Sequence, residues 1–323
     1  MDNFPAVVLG LDVSKAKVDC ALLAAGKLRS KVIANSPAGF ATLDAWLAKH
    51  GAGRLHACCE ATGPYSEALA THLADAGHVV SVVNPATLAA FARTELVRAK
   101  TDRQDARLIA RFCERHRPEP WQPLPPAQRR LLALVRDLHD LQGMRVMEAN
   151  RLPEAYPDIQ PRIQRHLDFL DAEIERLRTA ITEHIDHHDD LRGRRDLLDS
   201  VPGLGETTIA WLLAYLGDGQ RFECAKQAAA FAGLAPRLHE SGTSVHAHAS
   251  IDKQGHADLR RALYMPAVSA YTHCAAYAPF VRRLLDKGKA PKLIITALMR
   301  KLITIAQAIL KSGKPFDPTL HLG

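Results

Sequence analysis

Three short apolar runs, separated by stretches of helical pattern, restrict the fold of this chain more than any other feature. They are PAVVLGLDV at 5–13, RLHACCEA at 54–61 and HVVSVVNP at 78–85. Runs of this length between turn residues are typical of buried strands. Segments 17–24 and 27–35 alternate on either side of AAGK, as a β-hairpin does. The resulting order βββαβαβα predicts a mixed α/β sheet.

Acidic residues end two of these strands and recur on a later helix. Asp12 ends the first run and Glu60 the second, so neighbouring strands would bring both to one edge of the sheet. Asp102 and Asp105 lie three residues apart in a basic helix predicted over 100–116, and therefore share a face. Taken singly, each acid also fits a structural role, as a turn residue, a solvated side chain or a helix cap.

Together, the four acids predict a metal site. Four carboxylates at one place repel each other unless a cation compensates. Oxygen ligands suit hard divalent cations, Mg²⁺ above all. Two such ions about 4 Å apart stabilise both the attacking and the leaving oxygen of a phosphodiester displacement. The predicted chemistry is therefore metal-dependent cleavage or transfer of a phosphodiester.

The middle of the chain has a different pattern. The proline-rich segment RPEPWQPLPPAQ follows the basic helix and marks a domain boundary. Apolar residues then repeat at steps of three and four over 131–141 and again over 163–185. This heptad seam predicts an antiparallel helical hairpin or a coiled coil that dimerises the chain. We expect an α/β catalytic domain at 1–125, a helical coiled-coil linker at 126–190 and a mostly α-helical domain at 191–323.

Positive charge is concentrated in the last quarter of the chain. The whole sequence has 42 Lys and Arg against 35 Asp and Glu, a net +7, while residues 241–323 alone carry +8. A basic segment next to a near-neutral remainder suggests a polyanionic partner, and nucleic acid is the usual one. A solvated helical surface with a chance surplus of cations is the alternative.

Three places in the sequence predict contacts with phosphate. Arginines at steps of four form a stripe on the predicted helix at 100–116, and a phosphate backbone would relieve their repulsion. VPGLGETT at 201–208 is typical of the turn in a helix-hairpin-helix, where backbone N–H groups approach phosphate. Basic residues also follow the loop HESGTSVHAHAS. The predicted nucleic-acid contacts are Arg103, Arg107, Gly203, Gly205, Lys253, Arg260 and Arg261.

The loop at 239–250 presents candidate nucleophiles. A serine flanked by glycine is sterically open, and it attacks phosphorus when its proton is removed and the developing charge is neutralised. From the residues alone, Ser241 and Ser244 are nearly equal candidates, and a plain flexible loop is the alternative.

The motifs, taken together, resemble a known family. GLDVSK at 10–15, EATGPY at 60–65 and KTDRQDA at 100–106 resemble the RuvC-like domain of the DEDD-type insertion-sequence transposases. VPGLGETT and LRRALYMPA at 259–267 resemble the second, C-terminal domain of that family. The resemblance covers nearly the whole chain, with the motifs in the family's order. The family's four acidic positions fall on Asp12, Glu60, Asp102 and Asp105.

The resemblance implies a function as well as a fold. It implies an RNase H-like N-terminal domain and a DNA recombinase in which a structured non-coding bridge RNA pairs with both donor and target DNA. It places the nucleophile at Ser241, which would form a covalent phosphoserine link to DNA. It also implies a homo-oligomer, a dimer or a tetramer, whose active site is assembled across subunits.

Two other functions compete with this interpretation. A hydrolytic RuvC-like junction nuclease would use the four acids without a covalent step, and a non-catalytic scaffold would use only the basic surfaces. The start of the sequence has no signal-peptide pattern, and no apolar run suggests a membrane span. The six cysteines contain no CxxC pair, which favours reduced thiols in a cytoplasmic protein.

Overall fold

The computed structural model describes residues 4–61, 64–95, 102–237, 240–241, 245–246, 250–252 and 255–321. The chain divides into two compact units, Met1–Leu124 and Pro125–Gly323. The division falls within the proline-rich segment, where the change of composition predicts a boundary.

The first unit is built on a five-stranded mixed sheet. Its strands are β1 (Val8–Val13), β2 (Lys17–Ala24), β3 (Lys27–Ala34), β4 (His56–Glu60) and β5 (Val79–Val83). Their order across the sheet is β3-β2-β1-β4-β5. The first three strands pair antiparallel as two consecutive hairpins, whereas β1, β4 and β5 are parallel. The predicted mixed α/β sheet is confirmed, and its order is consistent with an RNase H-like domain.

Helices cover both faces of this sheet. They are α1 (Pro37–Lys49), α2 (Pro64–Asp75), α3 (Pro85–Thr94) and α4 (Asp102–His116). Phe40 and Leu43 of α1 share one core with Leu69 of α2 and with strand residues such as Leu11. Ile109 of α4 belongs to a second core on the other face. Each face buries alternate residues of the strands, as the period-two pattern requires.

The second unit is mostly helical, as predicted. Its helices are α5 (Pro126–Arg151), α6 (Gln160–Asp186), α7 (Asp189–Asp199), α8 (Glu206–Leu216), α9 (Ala225–Phe231), α10 (Ala257–Ala262), α11 (Tyr264–Thr272), α12 (Ala278–Asp286), α13 (Pro291–Ser312) and α14 (Pro318–His321). The central helix α8 is buried from Thr208 to Leu216.

The heptad seam forms an antiparallel hairpin of α5 and α6. His184, near the end of α6, lies 2.8 Å from the carbonyl oxygen of Ala127 at the start of α5. Arg145 and Asp171 form an ion pair further along the two helices. The seam residues from Ile163 to Ile185 are almost all buried. The first of the two predicted arrangements is therefore present within the chain, and self-association stays a prediction.

Helix α13 is long and apolar enough to cross a membrane by length and composition. In the structure it packs against α7, α9 and α11, and ten of its 22 residues are buried. Its apolar residues, including Leu298 and Ile309, are part of the core of the second unit.

Candidate active site

Asp12 and Glu60 lie near the ends of neighbouring parallel strands. The β1–β4 register pairs Leu11 with Cys59, and its continuation by one residue puts Asp12 beside Glu60. Parallel neighbours are about 4.8 Å apart. Gly10 and Cys58 face α4, and each lies two residues before one of the acids on the same strand. Because side chains two residues apart on a strand leave the same face, both acids lie on the α4 side of the sheet. Both are half-buried.

Helix α4 brings the third described acid to this face. A Cβ on Gly10 would lie 2.2 Å from the carbonyl oxygen of Ala106 and 2.4 Å from the amide nitrogen of Ala110. Only glycine therefore permits this close approach of the helix to β1. Asp105 precedes Ala106 and is half-buried. The acid predicted one turn earlier, Asp102, is the first residue of α4, and its side chain lies outside the described residues.

The donors on this face fit a divalent metal ion by their chemistry. They are carboxylate oxygens, which hard cations prefer. Among the side chains that the structure describes, no three His, Cys, Asp or Glu residues lie close enough to hold a metal ion. That search includes Asp12, Glu60 and Asp105 but not Asp102. The predicted four-acid site therefore stays a prediction.

A further acid, which the sequence analysis missed, lies opposite Asp12. Asp19 of β2 pairs with Asp12 in the antiparallel register, so both side chains leave the same face of the sheet. Its side chain is only 8% exposed and forms an ion pair of 3.1 Å with Lys17. The sequence carries a signal for this pair, because the two acids are equidistant from the centre of the turn in DVSKAKVD.

Asn35 connects the segments that follow the two strand-end acids. Its side-chain Nδ2 donates to the carbonyl oxygen of Ser14 at 2.9 Å and to that of Tyr65 at 3.0 Å. Ser14 lies two residues after Asp12, and Tyr65 lies five residues after Glu60. The two hydrogen bonds therefore hold the chain beyond β1 to the chain beyond β4. The partners of the Asn35 side chain are backbone atoms 21 and 30 residues away, so no sequence pattern indicates this contact.

We predict that Asn35→Asp weakens metal-dependent activity more than it weakens the fold. The change removes both donors and sets a carboxylate against two carbonyl oxygens, at a cost of about 1–3 kcal/mol in the free energy of unfolding. If Asn35 fixes the spacing of the acids, the Mg²⁺ concentration for half-maximal strand cleavage rises severalfold. Cleavage titrations with MgCl₂, together with thermal unfolding, measure both effects.

The neighbouring variant Ser36→Ala is the matched control for Asn35. The Ser36 hydroxyl accepts from the Gly39 amide at 3.3 Å and caps α1, a contact worth about 1 kcal/mol. It touches neither acid-bearing segment. Equal Mg²⁺ dependence in Asn35→Asp and Ser36→Ala would show that Asn35 has only a structural role.

The cysteines beside the acids are core residues rather than nucleophiles. Cys59 precedes Glu60, and Cys20 follows Asp19. Burial raises the pKa of each of these thiols to about 12. Because the thiolate is the reactive form, neither thiol competes with a serine for the role of nucleophile.

In place of the expected loop, the described residues of the serine segment form two short antiparallel strand pairs, which we call the ribbon. Strand β6 (Pro236–Arg237) pairs antiparallel with β9 (Ser250–Ile251), and β7 (Glu240–Ser241) pairs with β8 (Val245–His246). Ser241 is the last residue of β7. The side chain of Ser241 and the whole of Ser244 lie outside the described residues. Alternation in SVHAHASI, with small or apolar residues at every second position, is the sequence signal for the described strands at 245–246 and 250–251.

The base of this ribbon is anchored to the segment FAGL. The amide of Asp252 donates to the carbonyl oxygen of Ala235, and that of His256 donates to Phe231, each at 2.9 Å. A Cβ on Gly255 would lie 2.2 Å from the Gly233 amide nitrogen. The returning chain therefore fits against FAGL only with glycine at this position. Such an anchor fixes where the ribbon that bears Ser241 leaves the helical core.

Several of the arginines predicted to contact phosphate also bond within the fold. Arg107 donates from Nε to the Ser30 hydroxyl at 3.3 Å. Arg260 donates to the carbonyl oxygen of Ala232 at 2.9 Å, and Arg261 forms an ion pair with Asp258. One donor of each of these arginines therefore has an acceptor within the fold, and their contacts with phosphate stay predictions. Lys253 and the side chain of Arg103 lie outside the described residues.

VPGLGETT forms the turn between α7 and α8. Gly203 has a φ of +91°, which glycine adopts without strain, and Gly205 is the N-cap of α8. A cavity of about 980 Å³ borders this turn. Its walls carry the carboxylates of Glu175, Glu183, Asp196, Asp199 and Glu206 and the guanidinium groups of Arg178 and Arg195. The excess of carboxylates disfavours phosphate there, so this cavity does not support the predicted contacts at Gly203 and Gly205.

Two family models match the chain. One for IS110 DEDD transposases, described as "Transposase", matches residues 9–161. The other, described as "Transposase IS116/IS110/IS902 family", matches residues 195–281. The first match includes all four predicted acids, and the second includes Ser241 and the turn at Gly203.

Individual relatives match over most of their length. The pilin gene-inverting protein of Moraxella bovis is 36% identical over 97% of this chain and 98% of its own. The protein of the same description from Moraxella lacunata is 35% identical over the same shares. The transposase for insertion sequence element IS1328 of Yersinia enterocolitica is 26% identical over 77% of this chain and 82% of its own.

Proposed function

Because the chain belongs to the IS116/IS110/IS902 family of transposases and is thus a DNA transposase or recombinase, we propose that it exchanges strands between donor and target DNA through a covalent bond to Ser241. The observation that supports the proposal is the position of Asp12 and Glu60 at the ends of neighbouring parallel strands, with α4, which carries Asp105, packed against β1. Because relatives are named for pilin gene inversion, we include DNA inversion in the proposed strand exchange.

The acids of the first unit are proposed to hold divalent metal, with Asp12, Glu60, Asp102 and Asp105 as ligands and Mg²⁺ as the ion. A bound divalent ion would supply positive charge to the oxygens of the reacting phosphodiester. Gly10 and Asn35 act on the acids rather than on DNA. Gly10 lets α4 approach β1, and Asn35 joins the segments that follow Asp12 and Glu60.

The serine of the second unit is proposed to be the nucleophile. Its Oγ forms a bond to phosphorus while the bond from phosphorus to one deoxyribose oxygen breaks. The hydroxyl proton of serine passes to solvent, and the departing oxygen takes a proton to become a free hydroxyl. A hydroxyl from the other DNA then attacks the phosphoserine, which restores both the serine and a DNA phosphodiester. The reaction therefore uses residues of both units.

Guidance by a structured non-coding RNA and assembly as a dimer or tetramer complete the proposal. Guidance rests on the family resemblance. Self-association is supported by large apolar side chains that stay exposed on the α5–α6 hairpin, among them Met147, Tyr156 and Phe169, which are 62%, 80% and 57% exposed. Exposed apolar groups of this kind favour contact with a partner surface.

One experiment separates the proposed function from its competitors. The protein is incubated with labelled DNA that contains the ends of its element, with RNA transcribed from the flanking non-coding segment, and with MgCl₂. We expect that denaturing electrophoresis shows DNA attached to protein only when RNA and Mg²⁺ are both present. Cleaved DNA without an adduct would identify a hydrolytic junction nuclease. Bound but uncut DNA would identify a scaffold.

A further inference from the structure

The surface of α12 and α13 carries a dense group of cations, which we call the α12–α13 basic face. Between residues 259 and 316 the sequence has eleven Lys and Arg, and Asp286 is the only acid. Every cation of the face except Lys301 is exposed. The face consists of Arg282, Arg283, Lys287, Lys289 and Lys301.

Cations of both helices converge on one aromatic ring. The guanidinium carbon of Arg283 lies 5.4 Å from the centre of the Phe280 ring, and the ammonium of Lys301 lies 5.0 Å from it. Burial and the charge of Arg283 lower the pKa of Lys301. Two like charges are therefore held close together in a partly desolvated place. An anion between them would relieve this repulsion.

Arg283 also lines a depression on the protein surface. It has a volume of about 590 Å³, and Arg282, Arg283 and Lys287 line it together with small residues of the preceding turn. Its one acid is Asp286. Across the part of the chain that the structure describes, no carboxylate forms an ion pair with a cation of the α12–α13 basic face. These cations differ in this respect from Arg261, which forms an ion pair with Asp258.

We propose that the α12–α13 basic face binds the phosphate backbone of duplex DNA without reading base sequence. The proposal rests on the activity of the chain as a DNA transposase, because DNA is the polyanion that this activity requires. Arg283 and Lys287 are four residues apart along α12 and the residue after it, or about 6 Å at the rise of a helix. A duplex carries a charge for every ~1.7 Å of its axis, so the face spans several phosphates.

The test measures binding of the full-length protein to a 30-base-pair duplex, by fluorescence anisotropy, at a series of salt concentrations. The variant carries Arg282→Ala and Lys287→Ala, at an exposed position within α12 and at the exposed residue that follows it. The control carries Arg162→Ala and Arg165→Ala, two exposed positions on α6. Both proteins lose two positive charges. Circular dichroism and thermal unfolding check that both remain folded.

We expect the variant to bind duplex on the order of tenfold more weakly and the control to bind as the wild type does. The slope of log affinity against log salt falls by about 1.8 in the variant, since each lost phosphate contact contributes about 0.9. An unchanged slope, or equal loss in the control, would overturn the proposal. Loss of binding to structured RNA alone would overturn it as well, in favour of an RNA site. Adduct formation at low salt, measured separately, shows whether the Ser241 proposal stands regardless of this result.

Discussion

The variant Ser241→Ala will form no covalent adduct with DNA, and its rate of strand exchange will fall by at least the order of 10³-fold. Without the hydroxyl, no bond from the protein to phosphorus can form, and loss of a nucleophile is among the most severe changes in any active site. Binding of DNA and RNA will persist, because the ribbon that carries Ser241 is anchored through backbone contacts of Phe231, Ala235 and Gly255. Denaturing electrophoresis of labelled DNA measures the adduct.

Ser244→Ala is the matched comparison for this experiment. It removes the same atom three residues away, in the same segment, and we expect it to keep the adduct and most of the activity. Adduct formation by Ser241→Ala, together with its loss in Ser244→Ala, would move the nucleophile to Ser244. Cleavage that Ser241→Ala retains without any adduct would exclude a serine mechanism and leave hydrolysis by the acids on the α4 face of the sheet.

The sequence predicted the sheet and the placement of the strand-end acids because both depend on local pattern. Short apolar runs fixed β1 and β4, and an acid at the end of each run had to reach the same edge once the strands became neighbours. The position of Asp19 opposite Asp12 depends instead on the register in which β1 pairs with β2 across the hairpin. Asn35 was beyond prediction, because its two partners are carbonyl oxygens whose closeness is created only by the folded sheet.

The basic side chains show the opposite limitation. Their spacing on a helix can be read from the sequence, but the acceptors that each one finds cannot. Arg107 meets Ser30 from a distant strand, and Arg260 meets the carbonyl oxygen of Ala232 at the end of α9. The concentration of positive charge in the last quarter of the chain is apparent from the sequence. Which of these cations stay exposed to a partner follows only from the packing of α12 on α13.

The variant Asp12→Asn will lose strand exchange, by at least the order of 10³-fold, while it still binds nucleic acid. Asparagine keeps the size of the side chain but removes the charge that would attract a divalent ion. Metal that binds only the folded protein stabilises it, by about 2.7 kcal/mol at a concentration of one hundred times the dissociation constant. We therefore expect MgCl₂ to raise the melting temperature of the wild type and to have much less effect on Asp12→Asn.

Asp75→Asn supplies the control for this experiment. Asp75 is the exposed last residue of α2, so its substitution changes the net charge equally without touching the α4 face of the sheet. It should keep both strand exchange and the stabilisation by MgCl₂. Strand exchange that persists in Asp12→Asn would mean that the α4 face of the sheet is not the metal site. The chemistry would then have to come from the second unit, where Ser241 alone offers no means of neutralising the charge that develops on phosphorus.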